Sequence, residues 1–183
     1  MIPANTLSCR NMSNLAEQIR EALAMFARIG SEPALIGGLA VVAHQVVRAT
    51  KDVDFLVDAE SADRIHDALL ELGYQCLYRS EDAANYVRTT EGLDLLYAHR
   101  PLSRRLLAEA VERDTPMGRM RIINVEGLIG FKLQAFVNDP TRGRDLDDIR
   151  ALLRIHRASI NMDELQGYFV LFNKPDLLHE LLG

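Results

Sequence analysis

Two kinds of apolar spacing follow one another along the chain, and together they predict a protein of mixed helices and strands. Residues 13–29 place apolar side chains every three to four positions, which is the period of an amphipathic helix. Residues 53–57 form a short, almost continuous apolar run, which is typical of a buried strand. By these criteria, and from the glycines and prolines between the runs, helices are predicted over 13–29, 39–46, 61–72, 103–112, 125–137, 144–156, 163–172 and 175–182, and strands over 34–36, 53–57, 74–78, 85–89, 93–98 and within 117–125.

The order of these elements favours an α/β protein of the α+β type, in which helices flank a mixed sheet and a helical C-terminal lobe follows. The first half of the chain mixes about five predicted strands with helices, whereas the segment after residue 101 is mainly helical. We therefore predict a core over residues 1–100 and a mainly helical lobe over residues 101–183 that packs against it. A chain of 183 residues is long enough for a sizeable core, and no flexible linker separates the two parts.

Composition and charge narrow the class of protein. Hydrophobic residues make up 48% of the chain and charged residues 26%, which favours a globular fold over disorder. The net charge of −5 gives no general reason to expect a nucleic-acid-binding protein. A local basic run at Arg100, Arg104 and Arg105 is compatible with an RNA acceptor, but also with a solvated helix face.

The cellular compartment is predicted from three further features. The cysteines Cys9 and Cys76 lack the spacing of a metal site or a disulfide framework, so reduced thiols are expected. The first residues lack the basic and apolar blocks of a signal peptide, and no apolar run is long enough to cross a bilayer. A cytoplasmic protein without a membrane partner is therefore expected.

The most informative segment is residues 35–58, where two aspartates stand two positions apart at the start of a predicted strand. Side chains at such positions project from the same face of a strand, so Asp52 and Asp54 are expected to lie side by side. Neighbouring carboxylates repel each other unless a cation lies between them, and Mg²⁺ prefers oxygen ligands. The pair alone is also typical of a polar strand edge, so a metal site needs independent support.

The glycine pair Gly37-Gly38 provides that support. It follows one predicted strand and precedes a predicted helix. Glycine lets the backbone approach a ligand closely, and the exposed N–H groups of a helix start favour an anion. A turn that binds a triphosphate beside two metal-binding carboxylates predicts a site for phosphoryl-group chemistry. Without the aspartates, the glycine pair would indicate only a turn.

These motifs resemble the signature of the DNA polymerase beta-like nucleotidyltransferase superfamily, in which an apolar residue and two small residues precede Asp-apolar-Asp by about a dozen positions. Here thirteen residues separate the glycine pair from the first aspartate. Arg48 and Thr50 extend the likeness to small bacterial nucleotidyltransferase-like proteins, including AbiE-type toxins. The resemblance implies a nucleotidyltransferase core and a third metal-binding carboxylate on a later strand, which Asp94 matches. The alternative, that Asp94 points outward from an edge strand, stays open.

A second matching region lies in the predicted helical lobe. Residues 126–135 hold Lys132 in an apolar helix, and Arg144, Asp145 and Asp148 open the next helix. Acids in a first helical turn also stabilise the positive end of the helix dipole, so capping and a site role both stay open for this cluster. The nucleotide-binding residues that the resemblance implies are Gly37, Gly38, Arg48, Thr50, Lys132, Arg144, Asp145 and Asp148. One departure is Gly38, because many active members have a serine there whose hydroxyl can contact phosphate.

The resemblance implies an enzyme that transfers a nucleoside monophosphate from a nucleoside triphosphate to an acceptor hydroxyl. Asp52, Asp54 and Asp94 are then the catalytic and metal-binding residues, with Mg²⁺ as the cofactor and Mn²⁺ as the alternative ion. The acceptor classes compatible with it are RNA, protein and small molecules, and the toxin-like members imply an antitoxin partner. The alternative is a non-catalytic module that keeps the fold and binds a nucleotide or a partner.

Overall fold

A computed structural model describes residues 4–183, with side chains from residue 14 onwards. Its strands are β1 (Ala34–Leu35), β2 (Val53–Asp58), β3 (Gln75–Arg79), β4 (Ala83–Arg88), β5 (Glu91–Ala98), β6 (Val111–Thr115) and β7 (Gly118–Ile122). Its α-helices are α1 (Ala4–Arg28), α2 (Gly37–Ala43), α3 (Ala62–Glu71), α4 (Pro101–Ala108), α5 (Val125–Asn138), α6 (Gly143–His156), α7 (Met162–Leu171) and α8 (Pro175–Leu182), and a short 3-10 helix (Ala59–Ser61) precedes α3. The side chain of Cys9 lies outside the described part of the chain.

The seven strands form one mixed sheet in the order β3-β4-β5-β2-β1-β7-β6. The central strands β2 and β5 run parallel, and their register makes Asp54 the direct neighbour of Asp94. On the other side of β5, the antiparallel strand β4 places Asn85 opposite Asp94. Direct neighbours across a sheet project from the same face, so the register brings three polar side chains together.

Both faces of the central strands are covered, which explains why β2 is an almost continuous apolar run. Phe55 and Leu56 are fully buried, and the ring of Phe55 packs edge-on against Phe26 of α1 with 5.3 Å between the centroids. Asp54 is the partly buried polar exception between two buried neighbours. The packed core therefore fixes the backbone that carries this carboxylate.

The predicted fold class is confirmed, because a mixed sheet is covered by helices and followed by a run of helices. The strand β6 is absent from the sequence prediction. Its residues are mostly polar and exposed, and it forms one edge of the sheet, where no buried face imposes an apolar pattern. The other differences are at element ends: α1 begins at Ala4, α2 begins at Gly37 and α4 ends at Ala108.

The sheet includes residues from both sides of position 100, because β7 pairs with β1 and β6 pairs with β7. The helices α5, α6, α7 and α8 all follow the last strand. A division of the chain at residue 100 stays a prediction. No described helix combines the length and the apolar character needed to span a membrane.

Candidate active site

Three aspartates lie at the same end of the central strands β2 and β5. Asp54 and Asp94 are direct neighbours in the parallel register, and Asp52 lies just before β2 on the same face as Asp54. The Asp52 carboxylate leans over β5, because a Cβ atom added to Gly92 would lie 2.6 Å from its Oδ1 atom. The structure thus brings together the three acids that the sequence predicts for the site.

The proximity of these acids changes their acidity. Burial, together with the charges of Asp94 and Asp52, raises the pKa of Asp54 to about 6, although the Gly38 N–H and Lys132 act in the opposite direction. Burial likewise raises the pKa of Asp94, against a hydrogen bond from Asn85, and the charge of Asp52 adds to the rise. The carboxylates therefore repel one another in the metal-free protein.

The donor set fits a hard divalent cation. None of the three aspartates forms an ion pair with another described residue, so within this part of the chain their oxygens have no cationic partner. Among the described residues, no three His, Cys, Asp or Glu side chains already stand in the arrangement of a metal cluster. The three acids are neighbours whose repulsion a bound Mg²⁺ or Mn²⁺ would relieve, with oxygen ligands of the kind that these ions prefer.

The glycine pair lies against these acids. Gly37 is the first residue of α2 and has a φ of +63°, a conformation that residues with side chains rarely adopt. A Cβ atom at this position would overlap the Asp54 carboxylate, so only glycine lets the turn approach the acid so closely. The N-cap residue Ile36 provides no side-chain cap, and the Gly38 N–H of the first turn interacts with the Asp54 carboxylate. The turn therefore presents backbone donors next to the acids.

Thr50 accounts for the glycine at position 38. A Cβ atom on Gly38 would lie 2.6 Å from Oγ1 of Thr50 and 3.2 Å from Cζ of Arg48. A serine at position 38 would collide with both side chains. The Thr50 hydroxyl therefore occupies the space beside the turn that a serine side chain would take, and the departure from the superfamily pattern removes no hydroxyl from this region.

A cluster of five charged residues, which we call the ion cluster, lies beside the same turn. Lys132 of α5 binds Oδ1 of Asp145 at 2.8 Å and Oδ2 of Asp148 at 2.7 Å. Arg48, from the loop after α2, also binds Oδ2 of Asp148, and Arg142 binds Oδ2 of Asp145 at 2.6 Å. Burial alone would raise the pKa of Asp145, but the hydrogen bonds from Lys132 and Arg142 outweigh it and lower that pKa.

Several other charged or titratable residues lie outside the ion cluster. Arg144 is exposed in the first turn of α6 and forms no ion pair with a described residue. The arginines of the basic run, Arg100, Arg104 and Arg105, each pair with an acidic residue, which favours a solvated helix face over an RNA-binding surface. His44 is buried with its Nε2 2.9 Å from the Ile123 carbonyl oxygen, so it is a satisfied core residue.

Two residues of the site are missing from the sequence prediction. Asn85 of β4 donates to Oδ1 of Asp94 at 2.8 Å, and Arg142 joins the ion cluster through Asp145. Asn85 depends on strand register, which no local motif reveals. Arg142 carries a weak signal, because it precedes Asp145 by three positions at the start of a predicted helix.

Most of the chain, including both motif regions, matches a known protein family. A family model described as "Nucleotidyl transferase AbiEii toxin, Type IV TA system" matches residues 21–182. No curated protein sequence matches the chain.

Several solved structures are similar in fold. The solution structure of the antibiotic-resistance factor ANT(2″)-Ia aligns with a TM-score of 0.67 at 15% identity, covering 92% of this chain and 96% of that one. The lincomycin-bound lincosamide antibiotic adenylyltransferase LnuA aligns with a TM-score of 0.58 at 16% identity, covering 76% and 96%. An antigenic nucleotidyltransferase-like protein from Paracoccidioides brasiliensis aligns with a TM-score of 0.56 at 17% identity, covering 93% and 91%. At such identities the likeness shows the fold alone.

Proposed function

The chain belongs to the AbiEii nucleotidyl transferase toxin family, and from this premise we propose that it transfers a nucleoside monophosphate in a reaction that depends on a divalent metal ion. The observation that carries the proposal is the convergence of Asp52, Asp54 and Asp94 beside the turn at Gly37-Gly38. Three acids that form no ion pair with any side chain from residue 14 onwards, next to backbone donors, are better explained by a metal-bound triphosphate than by packing of the core.

Each acid has a role in the proposed reaction. Asp52 and Asp54 would hold Mg²⁺, and a bound Mg²⁺ would stabilise the negative charge on the entering and leaving oxygens. Asp94 keeps one oxygen in the hydrogen bond to Asn85 and offers the other to the acceptor. As the acceptor oxygen forms its bond to the α-phosphorus, Asp94 takes the hydroxyl proton, and the bond to pyrophosphate breaks.

The triphosphate lies, in this proposal, against the turn at Gly37-Gly38 and next to the ion cluster. Backbone N–H groups of the turn contact phosphate oxygens, and Arg48 and Lys132 add positive charge beside it. Thr50 offers its hydroxyl beside the turn. The other members of the predicted nucleotide-binding set are Arg144, at the exposed start of α6, and the acids Asp145 and Asp148 within the ion cluster.

For the acceptor, we propose a cellular RNA or protein in the cytoplasm, in keeping with the toxin family, and a cognate antitoxin as the controlling partner. A crystal structure of ANT(2″)-Ia, similar in fold with a TM-score of 0.64 at 17% identity, is a complex with adenylyl-2″-tobramycin, and the LnuA structure is lincomycin-bound. These structures make a small molecule the competing acceptor class. The purified protein should be incubated with α-labelled nucleoside triphosphates and total cellular RNA and protein. Label in either macromolecular fraction supports the proposal, whereas label in small molecules alone contradicts the proposed acceptor.

Replacing Asn85 by leucine is expected to lower kcat about tenfold and to change KM for the nucleotide by less than about threefold. Leucine has a similar size but cannot hold Oδ1 of Asp94, so the acid loses its fixed orientation towards the acceptor. Asn85→Asp should be worse, because it adds a like charge opposite Asp94. Steady-state kinetics of both variants, with Mn²⁺ binding measured separately, test this. A leucine variant with unchanged kcat would remove Asn85 from the site.

The affinity for Mg²⁺ is expected to rise with pH and to level off above about pH 6. Asp54 has its pKa raised to about 6 in the metal-free protein, so below that pH the metal ion must displace a proton. For the same reason the metal-free protein should lose stability as the pH rises from 3.8, the ordinary value, to about 6, because the folded state binds the extra proton there. Calorimetric Mg²⁺ titrations across this range test the first effect. A flat affinity between about pH 5 and pH 7 would contradict it.

A further inference from the structure

We propose that Asp148 is a positioning residue, which joins Arg48 and Lys132 into one rigid triphosphate-binding unit and itself contacts no substrate. This inference rests on the proposed function, because it assigns the two cations to the triphosphate. It departs from the direct nucleotide-binding role that the family resemblance implies for Asp148.

The geometry of Asp148 is that of a bridge. Its Oδ2 atom accepts a hydrogen bond from Nη1 of Arg48 and forms a salt bridge with Nζ of Lys132, 2.7 Å away. The side chains of Asp148 and Lys132 are 7% and 8% exposed, and that of Arg48 is 15% exposed, so the bridge is largely shielded from water. An oxygen that already receives two cationic donors in a buried setting is poorly placed to bind a metal ion or a hydroxyl as well.

The bridge joins three separate elements. Arg48 comes from the loop between α2 and β2, Lys132 from α5 and Asp148 from α6. Because both cations contact one oxygen, their nitrogens lie within about 5 Å of each other, a separation at which like charges repel strongly in a protein interior. Without Asp148 the two cations would be expected to separate. The acid therefore determines how close together they stand.

The joined cations point towards the candidate active site. The Arg48 guanidinium lies over Gly38, since its Cζ atom is 3.2 Å from the Cβ position of that residue. Lys132 is near enough to Asp54 to lower the pKa of that acid. The ion cluster holds three cations and two acids, and so keeps one net positive charge beside the turn. Cations fixed in place before binding lose less entropy when a phosphate group arrives.

Helix capping does not explain Asp148. Interactions with the helix dipole fall off within the first turn, and Asp148 is the sixth residue of α6, which begins at Gly143. Its neighbour Asp147 has the contacts of an ordinary surface acid of this helix. Asp147 is exposed and forms an i,i+3 pair with Arg150 at 3.1 Å. Asp147 is therefore a matched control, with the same charge one position away and no contact with the ion cluster.

The first test compares Asp148→Asn with Asp147→Asn. We expect Asp148→Asn to weaken the binding of inorganic triphosphate, measured by calorimetry in Mg²⁺ buffer, about tenfold, and Asp147→Asn to change it less than about twofold. In the transfer assay Asp148→Asn should raise KM for the nucleoside triphosphate and leave kcat within about threefold. Equal effects of the two substitutions, or a loss confined to kcat, would overturn the positioning role.

A double-mutant cycle separates positioning from direct contact. If Asp148 acts through Arg48, then Asp148→Asn should weaken triphosphate binding far less in an Arg48→Met background than in the wild type. If Asp148 contacts the substrate itself, the fold losses of triphosphate affinity in the two single variants multiply in the double variant, and the inference is wrong. Should Asp148→Asn not fold, the double variant of Asp148→Asn with Arg48→Met, which loses one acid and one cation together, is compared with Arg48→Met alone. The double variant should bind triphosphate at most about twofold more weakly, since Lys132 keeps its pairing with Asp145, and a larger loss overturns the inference.

Failure of the proposed function and failure of this inference give different experimental results. Wild-type protein that binds no triphosphate in Mg²⁺ buffer overturns the proposed function and this inference together. Wild-type protein that binds triphosphate, with multiplicative losses in the cycle, overturns the inference and leaves the proposed function standing.

Discussion

Replacing Asp54 by asparagine is expected to lower nucleotide transfer by about a thousandfold or more, and at the same time to make the metal-free protein more stable. The activity falls because the acid that faces both Asp94 and the glycine turn is lost as a metal ligand. The stability rises because the buried carboxylate, with its pKa raised to about 6, is charged at neutral pH against its surroundings. From this shift we expect a gain of about 1–3 kcal/mol in the free energy of unfolding.

Urea denaturation at about pH 8 without metal ions, and transfer of an α-labelled nucleotide with Mg²⁺, measure the two effects separately. The matched control is Asp58→Asn, at the exposed far end of the same strand, which should keep full activity. Asp52→Asn should also lose activity, because it removes another predicted metal ligand. An Asp54→Asn protein that transfers nucleotide like the wild type, or that is less stable than it, would contradict the assignment of this acid to a metal site.

Replacing Gly37 by alanine is expected to abolish transfer and to destabilise the protein by several kcal/mol, about 3 or more. The new methyl group would overlap the Asp54 carboxylate, and the backbone there has a φ of +63°. Gly30 is the matched control, because it has a φ of +67° with nothing within 4 Å of its Cβ position. Gly30→Ala should therefore cost only the backbone strain, about 1–2 kcal/mol, and leave transfer unchanged.

The collision at Gly37 can be tested by removing its partner. Adding Asp54→Gly to Gly37→Ala should cost less stability than the sum of the two single substitutions, since glycine removes both the carboxylate and the Cβ atom of residue 54, which would lie 2.7 Å from the new methyl group. Activity should stay lost in the double variant. If the losses of stability of the two single variants simply add up in the double variant, the close approach between the turn and the acid does not occur in solution.

The parts of the fold and site that the sequence predicts are those with a local signal. Alternating helical and strand patterns predict all of the helices and six of the seven strands, and the spacing of Gly37-Gly38 from Asp52 and Asp54 indicates the site. The strand β6 has no such signal, because an exposed polar edge strand needs no apolar face. Its membership of the sheet follows from pairing with β7, which periodicity does not reveal.

The parts of the site that the sequence does not predict depend on distant contacts. Asn85 meets Asp94 only because β4 and β5 pair in one register, and a shift by one residue would turn it to the other face. Lys132 stands among apolar residues in the sequence, yet it is buried because α6 supplies two acids. A charged residue in an apolar helix indicates that partners exist without identifying them.

We propose that the three aspartates and the glycine turn form the active site for transfer of a nucleoside monophosphate. Labelling the triphosphate at two positions is the most direct test of this role. Purified protein should be incubated with total cellular RNA and protein, Mg²⁺ and each nucleoside triphosphate, labelled either at the α- or at the γ-phosphate. We expect the α-label to be transferred to a macromolecule and the γ-label to be released in pyrophosphate. The Asp54→Asn variant should show neither transfer of the α-label nor release of pyrophosphate. Transfer of the γ-label to the acceptor, or α-label transfer that persists in Asp54→Asn, would contradict it.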